Sequence, residues 1–80
     1  MRVEIRVALK PGVVDAEGKN TLKAIQLQGF KGVESVTTSK VYTLEMNVRS
    51  QDDARKICED IAHGLLANPV IHEYSITVKG

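Results

Sequence analysis

Between Ser50 and Pro69, Ala54, Ile57, Cys58, Ile61, Ala62 and Leu65 recur at i, i+3, i+4, i+7, i+8 and i+11. That spacing puts them all on one face of an α-helix, with Arg55, Lys56, Glu59, Asp60 and His63 on the other. Ser50 is a natural N-cap and Asp53 holds the reciprocal capping position. At the far end, Pro69 biases Asn68 away from helical geometry, so the helix stops there. A one-sided helix must bury its stripe against something. The stretch Leu65-Leu66-Ala67-Asn68-Pro69-Val70-Ile71 closes this helix and launches a last strand that helps to supply the cover.

The covering layer is legible in the rest of the chain. Val3, Ile5, Val7 and Leu9 alternate with Arg2, Glu4, Arg6 and Ala8, which reads as a strand with one buried and one wet face. Lys10-Pro11-Gly12 ends it. Asp15 then caps a first helix, with Glu17 favourably placed in its first turn. Leu22, Ile25 and Gly29 share a stripe with Gly18, and Gly29 supplies the stop. Val33 to Ser39 reads as a short strand, paired as a hairpin with a stronger one in which Tyr42, Leu44, Met46 and Val48 alternate with polar residues. Tyr74, Ile76 and Val78 mark the inner face of the last strand. The order β-α-β-β-α-β predicts an α+β, ferredoxin-like two-layer sandwich. It has a four-stranded antiparallel sheet with two helices on one face.

Eighty residues make a single domain, 1–80, and one that buries only roughly 60 to 65 per cent of its unfolded surface. With Cys58 as the one cysteine, no internal disulfide can add stability. Self-association, as a dimer or a tetramer, is therefore expected. Eleven Lys and Arg against ten Asp and Glu argue against nucleic acid as a partner, since phosphate binding needs clustered excess cations. No segment approaches the ~20 apolar residues of a membrane span, and no apolar run follows Met1-Arg2-Val3-Glu4. The expectation is a cytoplasmic protein without membrane contact.

A search for chemistry returns little. Cys58 lies mid-helix in the apolar stripe, where a small core residue is wanted rather than an activated thiolate. His63 and His72 lack a third ligand for a metal. Asp52-Asp53, Asp15 and Glu17 are explained by helix starts. No GxGxxG or GxxxxGK[ST] phosphate cradle occurs. The three aromatics cannot furnish an RNA-stacking platform, because Tyr42 and Tyr74 share parity with the core positions. No catalytic, cofactor-binding or metal residue is assigned to this chain.

Specific strings carry more. Leu9-Lys10-Pro11-Gly12-Val13-Val14-Asp15-Ala16-Glu17-Gly18, then Ser39-Lys40-Val41-Tyr42-Thr43-Leu44-Glu45, then Cys58-Glu59 ahead of Leu65 to Tyr74, follow one another in an order that resembles the PurS family. That family is the small subunit of phosphoribosylformylglycinamidine (FGAM) synthase, an enzyme of purine biosynthesis. Ser39 stands where glycine is common, and His72 where an acidic residue is usual. The resemblance implies an enzyme only as a complex of three kinds of subunit. A glutaminase releases ammonia, and a large synthetase, using ATP and Mg, spends it on converting formylglycinamide ribonucleotide to the amidine. The PurS-like chain forms homodimers, binds no cofactor, and bridges the other two. Loops Lys10 to Gly18 and Ala67 to Glu73 are the expected contact surfaces. Lys10, Asp15, Gly18, Lys40, Leu66, Asn68, Pro69 and Glu73 are the residues singled out. The competing reading is a free-standing dimeric domain of this fold that senses a small molecule, an analogy from fold alone.

Overall fold

The computed structural model describes residues 1–79. In chain order they form β1 (Arg2–Leu9), α1 (Ala16–Leu27), β2 (Ser39–Glu45), α2 (Gln51–Ile61) with a π-helical turn over Ala62–Leu66, and β3 (His72–Lys79). The sheet has three strands in the order β2-β1-β3, both pairings antiparallel. β1 is thus central, with Ile5 opposite Tyr42 on one side and Ile76 on the other.

Alternation in β1 does what the pattern demands. Val3 and Ile5 are fully buried and Val7 nearly so, under a helix face made of Ala54, Cys58 and Ala62. Those helix residues are small, which lets α2 lie close to the sheet. Tyr42, Leu44, Tyr74, Ile76 and Val78 flank this centre, half-buried on the same inner face. Arg2, Glu4 and Arg6 occupy the outer face, where Arg2 pairs with Glu45 at 2.8 Å and Lys79 with Glu4 at 3.2 Å.

Three expectations are corrected. First, Val33 to Thr38 forms no strand, so the sheet has three strands rather than four. Second, only α2 covers the sheet, packing on β1 and β3, and the two helices do not share its face. Gly18 is the sole buried residue of α1. The chain from Ala16 to Thr38 stands off as an arm, which stretches the molecule to 50 × 27 × 14 Å and its radius of gyration to 16.1 Å. A compact chain of this length would reach about 12 Å. Third, the second helix does not run as one α-helix to Ala67. The π turn closes on a 2.8 Å bond from Ala67 N–H to the Ala62 carbonyl and inserts one extra residue into the helical phase. Leu66 is therefore half-buried, while Leu65, expected on the stripe, is 78% exposed. Ile57, also expected on the stripe but ahead of the π turn, is 41% exposed.

The caps are mostly as expected. Ser50 Oγ accepts from the N–H groups of Asp52 and Asp53 at 3.1 and 3.3 Å, although Asp53 makes no reciprocal bond among the described residues. Gly29, at φ +89°, ends α1 with Gly29 N–H on the Gln26 carbonyl and Phe30 N–H on that of Ile25. That pair of bonds is the Schellman arrangement.

The core is small, so each buried branched residue matters. Replacing Ile5 by Ala should lower unfolding free energy by about 2–5 kcal/mol in urea titration. Leu65→Ala, on the exposed side of the π turn, should change it by no more than about 0.5 kcal/mol.

Candidate functional site

One end of the sheet gathers the end of β1 and the starts of β2 and β3, because both pairings of β1 are antiparallel. The two loops singled out from sequence meet there. Lys10 ties them: its Nζ donates to the Pro69 carbonyl at 2.6 Å, and its backbone N–H donates to the Ile71 carbonyl at 2.8 Å. Asn68 organises the turn that follows. Its side-chain Oδ1 accepts from Val70 N–H at 3.0 Å, and its carbonyl accepts from Ile71 and His72 N–H at 3.0 and 2.8 Å. In return, Asn68 N–H donates to His72 Nδ1 at 2.9 Å, so the neutral ring carries its proton on Nε2.

Asp15 is the second anchor. Its carboxylate accepts from Gly18 N–H at 2.8 Å, as an N-cap should. It also accepts from Thr38 N–H at 2.6 Å and from Thr38 Oγ1 at 2.9–3.0 Å. One side chain thus clamps residue 15, where the arm leaves the sheet, to residue 38, where it returns. Those bonds, from Gly18 and then Thr38, hold the Asp15 carboxyl below its ordinary range. Gly18 completes the clamp. A Cβ there would collide with the Val36 carbonyl oxygen.

A cleft of about 310 Å3 lies between the root of α1 and the inner face of the sheet. Val7, Leu9, Tyr42 and Leu66 give it an apolar floor, and Asp15, Lys40 and His72 line its edge. Lys40 lies opposite Val7 at core parity, yet is exposed and makes no ion pair among the described residues. Glu73 lies opposite Ala8 on the outer face, bordering a larger hollow of about 470 Å3 with Arg6 and Lys10. The structure therefore brings Lys10, Asp15, Lys40, Leu66, Asn68 and Pro69 to one end of the molecule. Gly18 stands just behind them and Glu73 round the edge.

Two residues escaped the reading of the sequence. Thr38 lies 23 positions from Asp15, and no local pattern links them. His72, weighed as a metal ligand and noted where the family usually has an acidic residue, instead closes the Asn68 turn four residues back. Elsewhere, Cys58 is fully buried and burial pushes its thiol up, away from thiolate chemistry. Tyr74 donates its hydroxyl to Glu59 at 2.8 Å, which with burial raises the phenol above its usual value. Among the described residues, no helix is long and apolar enough to cross a membrane.

The comparison with known families decides the assignment. The family model for PurS, described as phosphoribosylformylglycinamidine (FGAM) synthase, matches residues 2–80. The chain belongs to the PurS family. It is 45% identical over 76 residues to the phosphoribosylformylglycinamidine synthase subunit PurS of Archaeoglobus fulgidus, covering 95% of each chain. The crystal structure of Methanocaldococcus jannaschii PurS superposes with a TM-score of 0.91 at 33% identity, covering 98% of this chain and 94% of that one. That protein is described as one of the subunits of formylglycinamide ribonucleotide amidotransferase. A PurLQS structure from Thermotoga maritima shares the fold, with a TM-score of 0.73 at 22% identity and coverage of 95% and 93%. The standing-off arm is thus a feature of a fold shared with solved PurS chains, not a peculiarity of this sequence.

The Asp15 clamp makes a pH prediction. A carboxylate whose folded pKa is depressed contributes stability above its unfolded value, about 4, and that contribution is lost as pH falls through the folded value. Asp15→Asn should lower the urea midpoint at pH 7. The gap between wild type and variant should shrink as pH drops below about 4. A gap that stays constant with pH would show that the carboxylate charge is not what holds the clamp.

Proposed function

We propose that this chain is the small, non-catalytic subunit of an FGAM synthase complex. In this reading it is a homodimer that holds a glutaminase and a large ATP-dependent synthetase in register. Ammonia released from glutamine then reaches formylglycinamide ribonucleotide without escaping to solvent. The setting is the cytoplasm. ATP and Mg2+ belong to the synthetase, and no cofactor is assigned to this chain.

The observation that carries this reading is the near full-length PurS match, joined to the kind of surface the structure presents. Its polar side chains are spent on shape. Asp15 is saturated by Gly18 and Thr38, Asn68 and His72 satisfy one another's turn, and Lys10 staples two loops. A glutaminase requires an activated cysteine with a histidine partner, whereas Cys58 is sealed in the core. What remains exposed is one end of the sheet, with Lys40 at the start of β2, and Pro69 and Val70 on the loop before β3, available for contact.

The test is reconstitution of the complex with and without this chain. Omission should depress the glutamine-dependent rate of amidine formation much more than the rate supported by added ammonia. Equal rates with and without it would overturn the bridging role and return the chain to the reading of a free-standing sensor domain.

A further inference from the structure

His72 stands at the start of β3 opposite Leu9, on the inner face of the sheet, yet its ring is spent on a loop backbone. Nδ1 accepts from Asn68 N–H at 2.9 Å, and that bond needs the lone pair of a neutral imidazole. Histidine is the side chain that gains a proton between about pH 8 and pH 5, and the imidazolium carries N–H on both nitrogens. One N–H would then face another across the same gap. The contact cannot survive protonation.

Which side yields follows from how each is held. The His72 main chain is paired in the sheet, and its ring is half-buried at the edge of the cleft. Ala67 is buried, with its N–H on the Ala62 carbonyl, and the Ile71 carbonyl accepts from Lys10 N–H. Between those fixed points, Asn68, Pro69 and Val70 are exposed. This tip keeps its shape through Asn68 Oδ1 on Val70 N–H, the Asn68 carbonyl on Ile71 and His72 N–H, and Lys10 Nζ on the Pro69 carbonyl. Each of those bonds is made by Asn68 or by the residue after it. The charges around the ring are Asp15 and Glu17 from the root of α1, Lys40 beside Tyr42 on β2, Lys10 after β1, Glu73 on β3, and His63 on the π turn. The three carboxylates attract an imidazolium toward the cleft and the strand edge, while Lys10, bound to the tip itself, repels it.

We propose that His72 is a proton switch for the 68–70 tip. With the ring neutral, the tip is pinned and Pro69 and Val70 are presented in one arrangement. With the ring protonated, Asn68 N–H is released to water and the tip comes free. The bond therefore stabilises the pinned form at the alkaline end of the histidine range and is lost as pH falls. Its consequence, weaker docking at this end in acid, rests on the bridging role proposed above. The switch itself does not, because every atom in it belongs to this chain.

Nuclear magnetic resonance of the full-length chain, titrated from about pH 8 to pH 5, tests this. At the alkaline end the His72 ring nitrogens should report the Nε2–H tautomer. The Asn68, Val70 and Ile71 amide resonances should then shift together with the ring. Protection of the Asn68 amide, corrected for the intrinsic pH dependence of exchange, should fall about tenfold, while that of Ile5 in β1 holds. His63→Gln should leave this response unchanged. His72→Glu, whose carboxylate ordinarily stays ionised down to about pH 4, should keep the Asn68 amide bonded and abolish the response. A ring that titrates while the 68–71 amides stay still would overturn the switch, as would an Nδ1–H tautomer at the alkaline end. Loss of Ile5 protection over the same range would replace it with global unfolding. Because the readout needs no partner, failure of the switch and failure of the bridging role are separate results.

Discussion

Everything in this molecule hangs on how closely α2 can approach β1. Val3 and Ile5 are fully buried because the helix face above them is Ala54, Cys58 and Ala62, three side chains too small to hold the backbones apart. In a domain of 80 residues there is little else to bury. A larger residue at Cys58 would lift the helix and expose the centre of the sheet, and overpacking of that kind is itself destabilising. The position of the loop end follows from the same contact. β1 fixes β2 and β3 in register, and those registers deliver Leu9, Ser39 and His72 to one rim.

The local layers of structure were legible in the sequence because local physics sets them. Alternation in β1, the Asp15 and Ser50 caps, and the Gly29 stop each depend on residues within a turn or two of one another, and each is found. What could not be read was where the layers go relative to each other. The stripe of Leu22 and Ile25 says that α1 has a face to cover, but not whether its cover lies in the same chain. The strand-like composition of Val33 to Ser39 likewise implies pairing without saying with what. The π turn was invisible for another reason. Helical stripes assume 3.6 residues per turn, and a single wider turn at Ala62–Leu66 exchanges the fates of Leu65 and Leu66 without leaving a mark in composition.

At the candidate site the residues singled out by resemblance do come together, though they do so as a scaffold. Lys10, Asn68 and Pro69 stitch one loop to the other, and Asp15 stitches the arm to the sheet. Thr38 is the partner that no short-range pattern reveals, because its bond spans the whole arm. Such a network resists deformation more than it reacts, which suits the bridging role proposed above.

The π turn has a consequence for how this family can change over time. Each helical residue advances the chain by about 1.5 Å and 100°. Removing one residue from Ala62–Leu66 would restore regular geometry, but would swing Asn68 and Pro69 through roughly a quarter-turn away from Lys10. The carbonyl that Lys10 holds would no longer face it. Length here is therefore as constrained as identity. Substitutions can drift across the exposed positions Leu65 and Gly64, whereas insertions and deletions in this turn would disconnect the last strand from the loop that seats it.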